Sequence, residues 1–119
     1  GSSDVFERGF VTYSNRAKQD LLGVPAATIR QHGAVSEAVA RAMAEGAIRN
    51  SVAQLAIAIT GIAGPGGGTD EKPVGLVHIT AARAGEATLH RECRFGDIGR
   101  SEIRLKSVEA ALEMLQSLL

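Results

Sequence analysis

Three short segments of this sequence carry residue types that can bind or hydrolyse a small molecule. In the first, residues 12–18, the spacing of Tyr13, Ser14 and Lys18 brings their polar ends together at the start of a predicted helix. A lysine that is partly desolvated or lies near other cations loses its proton close to neutral pH and then acts as a base toward a serine hydroxyl. The spacing alone is weak evidence, because it favours a helix capped by Ser14 with Lys18 in solvent.

The second segment is a glycine-rich loop, residues 61–73, directly after a run of apolar residues. Glycine lets a ligand approach the main chain, and loops that follow sheet strands can present main-chain N–H groups to it. The loop is not a Walker loop, because Gly67 and Gly68 stand where Lys and Ser/Thr are needed. It is not a dinucleotide fingerprint either, because Thr69 occupies the third glycine position. We predict a ligand-binding loop, with a plain connection between strands as the alternative.

The third segment is residues 95–100, which lead into the last predicted helix. An arginine in a first helical turn gains nothing from the helix dipole, which favours anions there. Arg100 together with the free N–H groups of the helix start therefore suits a phosphate or a carboxylate. An ordinary exposed arginine is the alternative interpretation.

The remaining candidates are weaker. His32, His78 and His90 are predicted to be separated along the chain and by strand face, so no metal site is expected. Cys93 alternates with polar residues and faces inward beside Leu89, which indicates a structural thiol instead of a nucleophile.

Hydrophobic periodicity and capping residues predict the elements that position these segments. We expect a strand over residues 9–13, helices over 15–22, 25–33 and 36–50, a central strand over 55–60, a hairpin of strands 74–83 and 87–95, and a helix over 100–119 with Asp97 as its cap. The predicted inner stripes are Val35, Val39, Met43 and Ala47 on the third helix and Leu105, Val108, Leu112, Leu115 and Leu119 on the last. This order predicts an α/β fold with three layers, α/β/α, and a mixed, mostly parallel sheet that contains a C-terminal antiparallel hairpin.

Length and composition favour one globular domain over residues 1–119. The chain has 119 residues, 45% of them hydrophobic, with 13 basic and 13 acidic side chains. This balance argues against nucleic acid as a partner. The longest apolar run, residues 55–59, is far shorter than the roughly 18–20 residues that a membrane span needs. With one cysteine the chain cannot form an internal disulfide, and we expect a reducing, cytoplasmic setting.

The three segments, in this order, resemble the C-terminal domain of the CinA family (competence/damage-inducible protein A), whose stand-alone members are the nicotinamide mononucleotide amidohydrolases called PncC. The resemblance covers essentially the whole chain. The matching residues are Phe6-x-x-Gly9-Phe10-Val11-Thr12-Tyr13-Ser14-Asn15-x-x-Lys18, Leu21-Leu22-Gly23-Val24, His32-Gly33-Ala34-Val35-Ser36, Thr60-Gly61-Ile62-Ala63-Gly64-Pro65-Gly66-Gly67 and Lys72-Pro73-Val74-Gly75.

The resemblance implies hydrolysis of the nicotinamide mononucleotide carboxamide to nicotinate mononucleotide and ammonia, without metal or cofactor. By position it implies that Tyr13, Lys18 and Arg100 are catalytic, with neutral Lys18 as the base and Arg100 lowering its pKa. The residues expected to bind the substrate are Thr60, Gly61, Gly64, Gly66 and Gly67. It also implies a homo-oligomer.

The nucleophilic serine of the family lies in a Glu-Ser-Cys-Thr-Gly-Gly segment that is N-terminal to all of these matching residues. We therefore expect an upstream strand and helix that supply it. Ser14 is interpreted as a helix cap and not as the nucleophile. The alternative function is a non-catalytic nucleotide-binding or regulatory module that has lost the nucleophile.

Overall fold

The computed structural model describes all 119 residues. After a single 3-10 turn, Ser2–Asp4, it has four helices and three strands: α1 (Asn15–Leu22), α2 (Ala26–His32), α3 (Glu37–Arg49), β1 (Leu55–Gly61), β2 (Leu76–Arg83), β3 (Leu89–Arg94) and α4 (Arg100–Ser117). The mixed α/β class is confirmed. None of the helices combines the length and the apolar character that crossing a bilayer requires.

The three strands form one sheet in the order β1-β2-β3, and both pairings are antiparallel. The predicted C-terminal hairpin is confirmed, with shorter strands than expected. The predicted mostly parallel sheet is wrong for these strands, because β1 runs against β2 in the register Ala58↔Thr80. The central position belongs to β2, in which all residues except the last are buried, and not to β1.

Helices pack on both faces of the sheet, because successive residues of a strand point to opposite sides. One core cluster joins α3 to Ala58 and Ala82. The other joins α4 to Val77, Ile79 and Ala81. The predicted inner stripe of α3 is largely correct, since Val39 and Met43 are buried.

Residues 9–13 do not form the predicted strand. A strand needs a neighbour for its main-chain hydrogen bonds, and residues 7–13 make no main-chain hydrogen bond to another backbone group. Val11 and Tyr13 are 87% and 91% exposed. The alternation of side chains is present, but the pairing partner that converts it into a strand is absent from this sheet.

The predicted inner stripe of α4 faces outward. Leu105, Val108 and Leu112 are 58%, 50% and 55% exposed. The residues that pack on the sheet side are Ile103, Ser107, Ala110, Ala111 and Met114. Both stripes have helical spacing, and the buried one contains small residues that let the helix lie close to the sheet. The predicted cap is also wrong: the residue before the helix is Gly99, and Asp97 plays no capping role.

Candidate active site

Lys18 is a buried cation near the start of α1. Ser14 caps this helix as predicted, and its hydroxyl accepts a hydrogen bond from the Ala17 N–H at 3.0 Å. From the next turn the Lys18 side chain folds back and donates from Nζ to the Thr12 carbonyl at 2.7 Å and to the Tyr13 carbonyl at 3.5 Å. The residue is only 6% exposed. The interpretation of Lys18 as a solvated surface residue is therefore wrong.

Burial lowers the pKa of Lys18 from its ordinary value, because removal from water disfavours the charged form. The expectation that Arg100 lowers this pKa is not met, since desolvation is the one cause found. A lysine shifted in this direction is a better base near neutral pH than a solvated one. The Tyr13 phenol, in contrast, points into solvent and makes no hydrogen bond within the chain; the hydrogen bond from Lys18 goes to the main-chain carbonyl of this residue.

The glycine-rich loop folds back along the start of β2. The Ile62 N–H donates to the Leu76 carbonyl at 2.9 Å, and the Gly75 N–H donates to the Ile62 carbonyl at 2.8 Å. Gly64 has a φ of +80°, and a Cβ there would lie 2.8 Å from a methyl group of Val74. Glycine is required at this position by both the backbone and the packing, while Gly66 and Gly67 stay exposed.

Arg100 reaches this loop from the start of α4. Its Nη1 donates to the Gly64 carbonyl at 3.0 Å, across 36 positions of the chain. The guanidinium therefore ties the first turn of the last helix to the loop that sequence analysis singled out. Spacing could not have revealed this contact, because it depends on how α4 packs on the sheet.

A cavity of about 590 Å³ lies between the glycine-rich loop and the connection from β3 to α4. Its polar and charged lining includes Thr69, Asp70, Arg94 and Asp97, and Gly66 and Gly67 also border it. Pockets for small ligands have volumes of roughly 300–1,000 Å³. The cavity is thus large enough for a small ligand in contact with the predicted binding loop.

Thr60 is buried at the end of β1 and holds the connection between α2 and α3. Its Oγ1 donates to the Ala34 carbonyl at 2.9 Å. Sequence analysis treated Thr60 as a ligand-binding residue, whereas its hydroxyl has a partner within the protein.

The predicted site residues fall into two groups. Tyr13 and Lys18 are neighbours, and Arg100 and the glycine-rich loop are neighbours. No hydrogen bond joins the two groups, and the cavity beside the loop is not lined by Tyr13, Lys18 or Arg100. That Tyr13 and Lys18 act together with Arg100 and the glycine-rich loop, as the resemblance implies, remains a prediction.

Sequence analysis missed a pair of histidines. His78 Nδ1 and His90 Nε2 are 2.9 Å apart, with ring planes 19° apart and centroids separated by 5.2 Å. The predicted separation of these two by strand face is wrong, because Thr80 pairs with His90 and His78 with Glu92 on one face of the sheet. Burial, and then the neighbouring His90, lower the pKa of His78. Alternation along both strands, once aligned, could have revealed the pair.

Cys93 is partly buried against the α4 side of the sheet, as predicted. Burial raises the pKa of its thiol. Since the thiolate is the nucleophilic form, this environment does not activate Cys93.

The fold and these side chains define a mixed α/β domain with a desolvated lysine at a helix start and a glycine-rich loop tied to an arginine. The chain belongs to the CinA C-terminal domain family, whose model matches residues 1–119.

Relatives and solved structures agree with this assignment. The chain is 54% identical over 117 residues to a CinA-like protein of Synechococcus sp. (strain RCC307), covering 98% of this chain and 28% of that protein. It is 52% identical over 116 residues to the nicotinamide-nucleotide amidohydrolase PncC of Escherichia coli (strain K12), covering 97% of this chain and 69% of PncC. The chain thus spans little more than a quarter of the CinA-like protein.

Among solved structures, the competence/damage inducible protein CihA from Agrobacterium tumefaciens matches with a TM-score of 0.98 and 58% identity, over 99% of this chain and 72% of that one. A CinA superfamily protein from Escherichia coli matches with a TM-score of 0.86 and 37% identity, over 93% of this chain and 63% of that one.

Proposed function

We propose that this chain belongs to an amidohydrolase that converts nicotinamide mononucleotide to nicotinate mononucleotide and ammonia. The observation that carries the proposal is the desolvated Lys18 ammonium, held beside Tyr13 in a chain 52% identical to a nicotinamide-nucleotide amidohydrolase. A lysine base of lowered pKa fits a serine/lysine amidase. The substrate is a small nucleotide, and the balanced charge of the chain offers no footprint for nucleic acid.

In the proposed reaction, neutral Lys18 removes the proton of a serine hydroxyl while the serine oxygen attacks the carboxamide carbon. Lys18 then returns the proton to the amide nitrogen, the C–N bond breaks, and ammonia leaves. Water next attacks the carbonyl carbon of the acyl ester and gives a proton to Lys18. The ester C–O bond breaks, and Lys18 passes this proton to the serine oxygen. Tyr13 relays a proton or holds Lys18 in place. The serine belongs to the upstream segment that the resemblance implies.

We place the nucleotide against the glycine-rich loop. The support is the cavity beside Gly66 and Gly67 and the guanidinium of Arg100, fixed at the Gly64 carbonyl. The main-chain N–H groups of Gly66 and Gly67, which donate to no other main-chain group, and a positive charge suit a phosphate or a developing oxyanion.

The test measures ammonia and nicotinate mononucleotide released from nicotinamide mononucleotide. It uses the chain alone and the chain joined to the part of the Escherichia coli PncC relative that it does not span. Lys18→Ala is expected to lower kcat by roughly 10²–10⁴-fold, the usual contribution of a general base. The matched control Lys106→Ala removes an exposed lysine of α4 and is expected to leave kcat unchanged. Equal rates for Lys18→Ala and the unmodified protein would remove Lys18 from the scheme.

The second candidate is a nucleotide-binding or regulatory module without catalysis. The cavity beside the loop supports it independently of Lys18. Calorimetric binding of nicotinamide mononucleotide, without turnover in either form of the protein, would favour this candidate.

We also propose that the protein is a homo-oligomer and works in the cytoplasm. The support for association is the exposed apolar stripe of α4, Leu105, Val108 and Leu112. Along the same helix Arg104 lies before Val108 and Glu109 follows it. Two copies of α4 packed antiparallel about Val108 bring these opposite charges together.

A further inference from the structure

The connection between α2 and α3 is held by side chains at three successive carbonyl groups. The His32 carbonyl accepts from Lys72 Nζ at 2.6 Å, the Gly33 carbonyl accepts from Ser36 Oγ at 2.8 Å, and the Ala34 carbonyl accepts from Thr60 Oγ1 at 2.9 Å. Two of these donors come from distant parts of the chain: Thr60 is the penultimate residue of β1, and Lys72 belongs to the glycine-rich loop. The connection is thus fixed to the predicted binding region from two sides.

Lys72 is itself held in place by a closed turn. The Thr69 N–H donates to the Lys72 carbonyl at 2.8 Å, and the Lys72 N–H donates to Thr69 Oγ1 at 3.0 Å. From this turn the ammonium reaches the C-terminal end of α2, where helix carbonyls favour a cation. At the receiving end Gly33 has a φ of +78°, and a Cβ there would lie 2.8 Å from Lys72 Nζ. The absence of a side chain at Gly33 leaves the space that the ammonium occupies.

We propose that Lys72 is a positioning residue that clamps the glycine-rich loop to the α2–α3 connection and thereby sets the shape of the nucleotide site. The proposal rests on the proposed function for its effect on catalysis. Its structural part stands by itself: Arg100 ties one side of the loop to α4 through Gly64, and Lys72 ties the other side to α2. A charged donor to a carbonyl is among the stronger hydrogen bonds in proteins. Released from Lys72, the loop keeps its hydrogen bonds to β2 and its tie to α4, and loses its anchor to α2.

The first test measures amide hydrogen exchange in Lys72→Met, Lys72→Arg and the matched control Lys106→Met. In Lys72→Met the protected N–H groups of Thr69 and Gly33 are expected to exchange roughly tenfold faster, which corresponds to the loss of one charged hydrogen bond. Lys72→Arg keeps a cationic donor and is expected to restore most of the protection. Exchange in the middle of β2 is expected to stay unchanged, which separates loss of the clamp from general destabilisation. Equal exchange in Lys72→Met and Lys106→Met would overturn the proposal.

A second readout follows the charge of Lys72. Its ammonium contributes to the lowering of the pKa of His78, after burial and His90. An NMR titration of the His78 ring is expected to show a higher pKa in Lys72→Met and no change in Lys106→Met. An unchanged pKa of His78 in Lys72→Met would show that the Lys72 ammonium is not held near His78, against the proposal.

The third readout separates the clamp from the proposed activity. With nicotinamide mononucleotide, Lys72→Met is expected to raise KM roughly tenfold with kcat within about twofold, and Lys72→Arg to lie between it and the unmodified protein. A fall in kcat alone would give Lys72 a different role from the one proposed. If neither the unmodified protein nor any variant releases ammonia, and the hydrogen-exchange results are as expected, the proposed function is contradicted while the structural role of Lys72 is supported.

Discussion

The ammonium group of Lys18 is surrounded by neutral groups. Its hydrogen bonds go to two main-chain carbonyls, and no carboxylate forms an ion pair with it. A buried cation without a counter-charge destabilises the folded state, so a purely structural lysine gains little from this position. Functional groups are often placed at the expense of stability in this way.

This placement predicts opposite effects of Lys18→Met on stability and on activity. The variant removes a desolvated cation and keeps the apolar stem, so at pH 7 its free energy of unfolding is expected to equal or exceed that of the unmodified protein, while deamidation is lost. The pKa of Lys18 is lower in the folded chain than in the unfolded chain. Between these two pKa values the unfolded chain holds more protons than the folded chain, so the stability of the unmodified protein increases as the pH rises toward the ordinary lysine value. Chemical denaturation at pH 7 and pH 9.5 checks this. A stability difference that does not narrow with rising pH would contradict it.

His78 gives a second pH dependence, of known sign. Its folded pKa is lowered, so below about pH 6.5 the unfolded chain binds more protons than the folded one and stability falls as the pH drops. His90, Glu92, Glu37 and Lys72 are the charged and titratable groups that act on His78. Denaturation midpoints at pH 7.5 and 5.5 are expected to differ more in the unmodified protein than in His78→Gln. Parallel losses in both proteins would assign the acid sensitivity to other groups.

Helices α1 and α3 cross at a point where no side chain fits. A Cβ added to Gly46 would collide with the main-chain carbonyl of Leu22, the last residue of α1. Since this contact is backbone and not the end of a flexible side chain, one helix must shift to accept a methyl group.

Gly46→Ala is therefore expected to destabilise the protein by about 1–3 kcal/mol, the usual range for overpacking. This result opposes helix propensity, which favours alanine over glycine by about 1 kcal/mol in a helix interior. The matched control is Gly9→Ala, where the nearest atom to an added Cβ is 3.9 Å away. Thermal and urea denaturation measure both variants, and a stabilised Gly46→Ala would show that α1 and α3 move apart freely.

The two apolar faces of α4 allow a direct comparison. Ile103 is buried against the sheet, whereas Leu112 is more than half exposed. Ile103→Ala is expected to destabilise the chain by about 2–5 kcal/mol and Leu112→Ala by less than about 1 kcal/mol. Urea denaturation of the two variants provides the measurement. A larger loss of stability in Leu112→Ala than in Ile103→Ala would support the inner stripe that the sequence predicts.

Local signals in the sequence were sufficient to locate the helices, although not to identify the cap or the buried face of α4, and they were insufficient for the sheet. Ser14 and Ser36 cap α1 and α3 as their positions predict, because capping depends on residues only three positions away. The strand expected at residues 9–13, the parallel pairing and the separation of His78 from His90 all failed for one reason. Each depends on which strand lies beside which, and this is decided by contacts between residues far apart in the chain.

The candidate site follows the same rule. The glycine-rich loop, Lys18 and Arg100 could be selected by residue type and resemblance. The clamp from Lys72 to His32 and the tie from Arg100 to Gly64 could not, because they cross 40 and 36 positions of the chain.

At the scale of the whole molecule, an electrically balanced chain exposes a leucine and valine stripe along its longest helix. If a second copy covers this stripe, Leu105→Glu combined with Leu112→Glu is expected to abolish self-association while leaving the monomer folded, because neither residue is part of the core. Light scattering after size-exclusion chromatography measures the mass, and circular dichroism checks the fold. Ala27→Glu, an exposed position on α2, serves as the control. An unchanged oligomer in the double variant would locate the interface elsewhere.

The hydrogen bond from Arg100 to a main-chain oxygen has an electrostatic consequence. A guanidinium held by a carboxylate is neutralised, but a carbonyl group carries no net charge, and Arg100 takes part in no ion pair. The arginine is therefore immobilised with its full positive potential intact at the rim of the loop. Attraction of this kind extends over about 8–10 Å at ordinary ionic strength and fades as salt is added, so an anionic substrate would be drawn to the loop before it makes any contact.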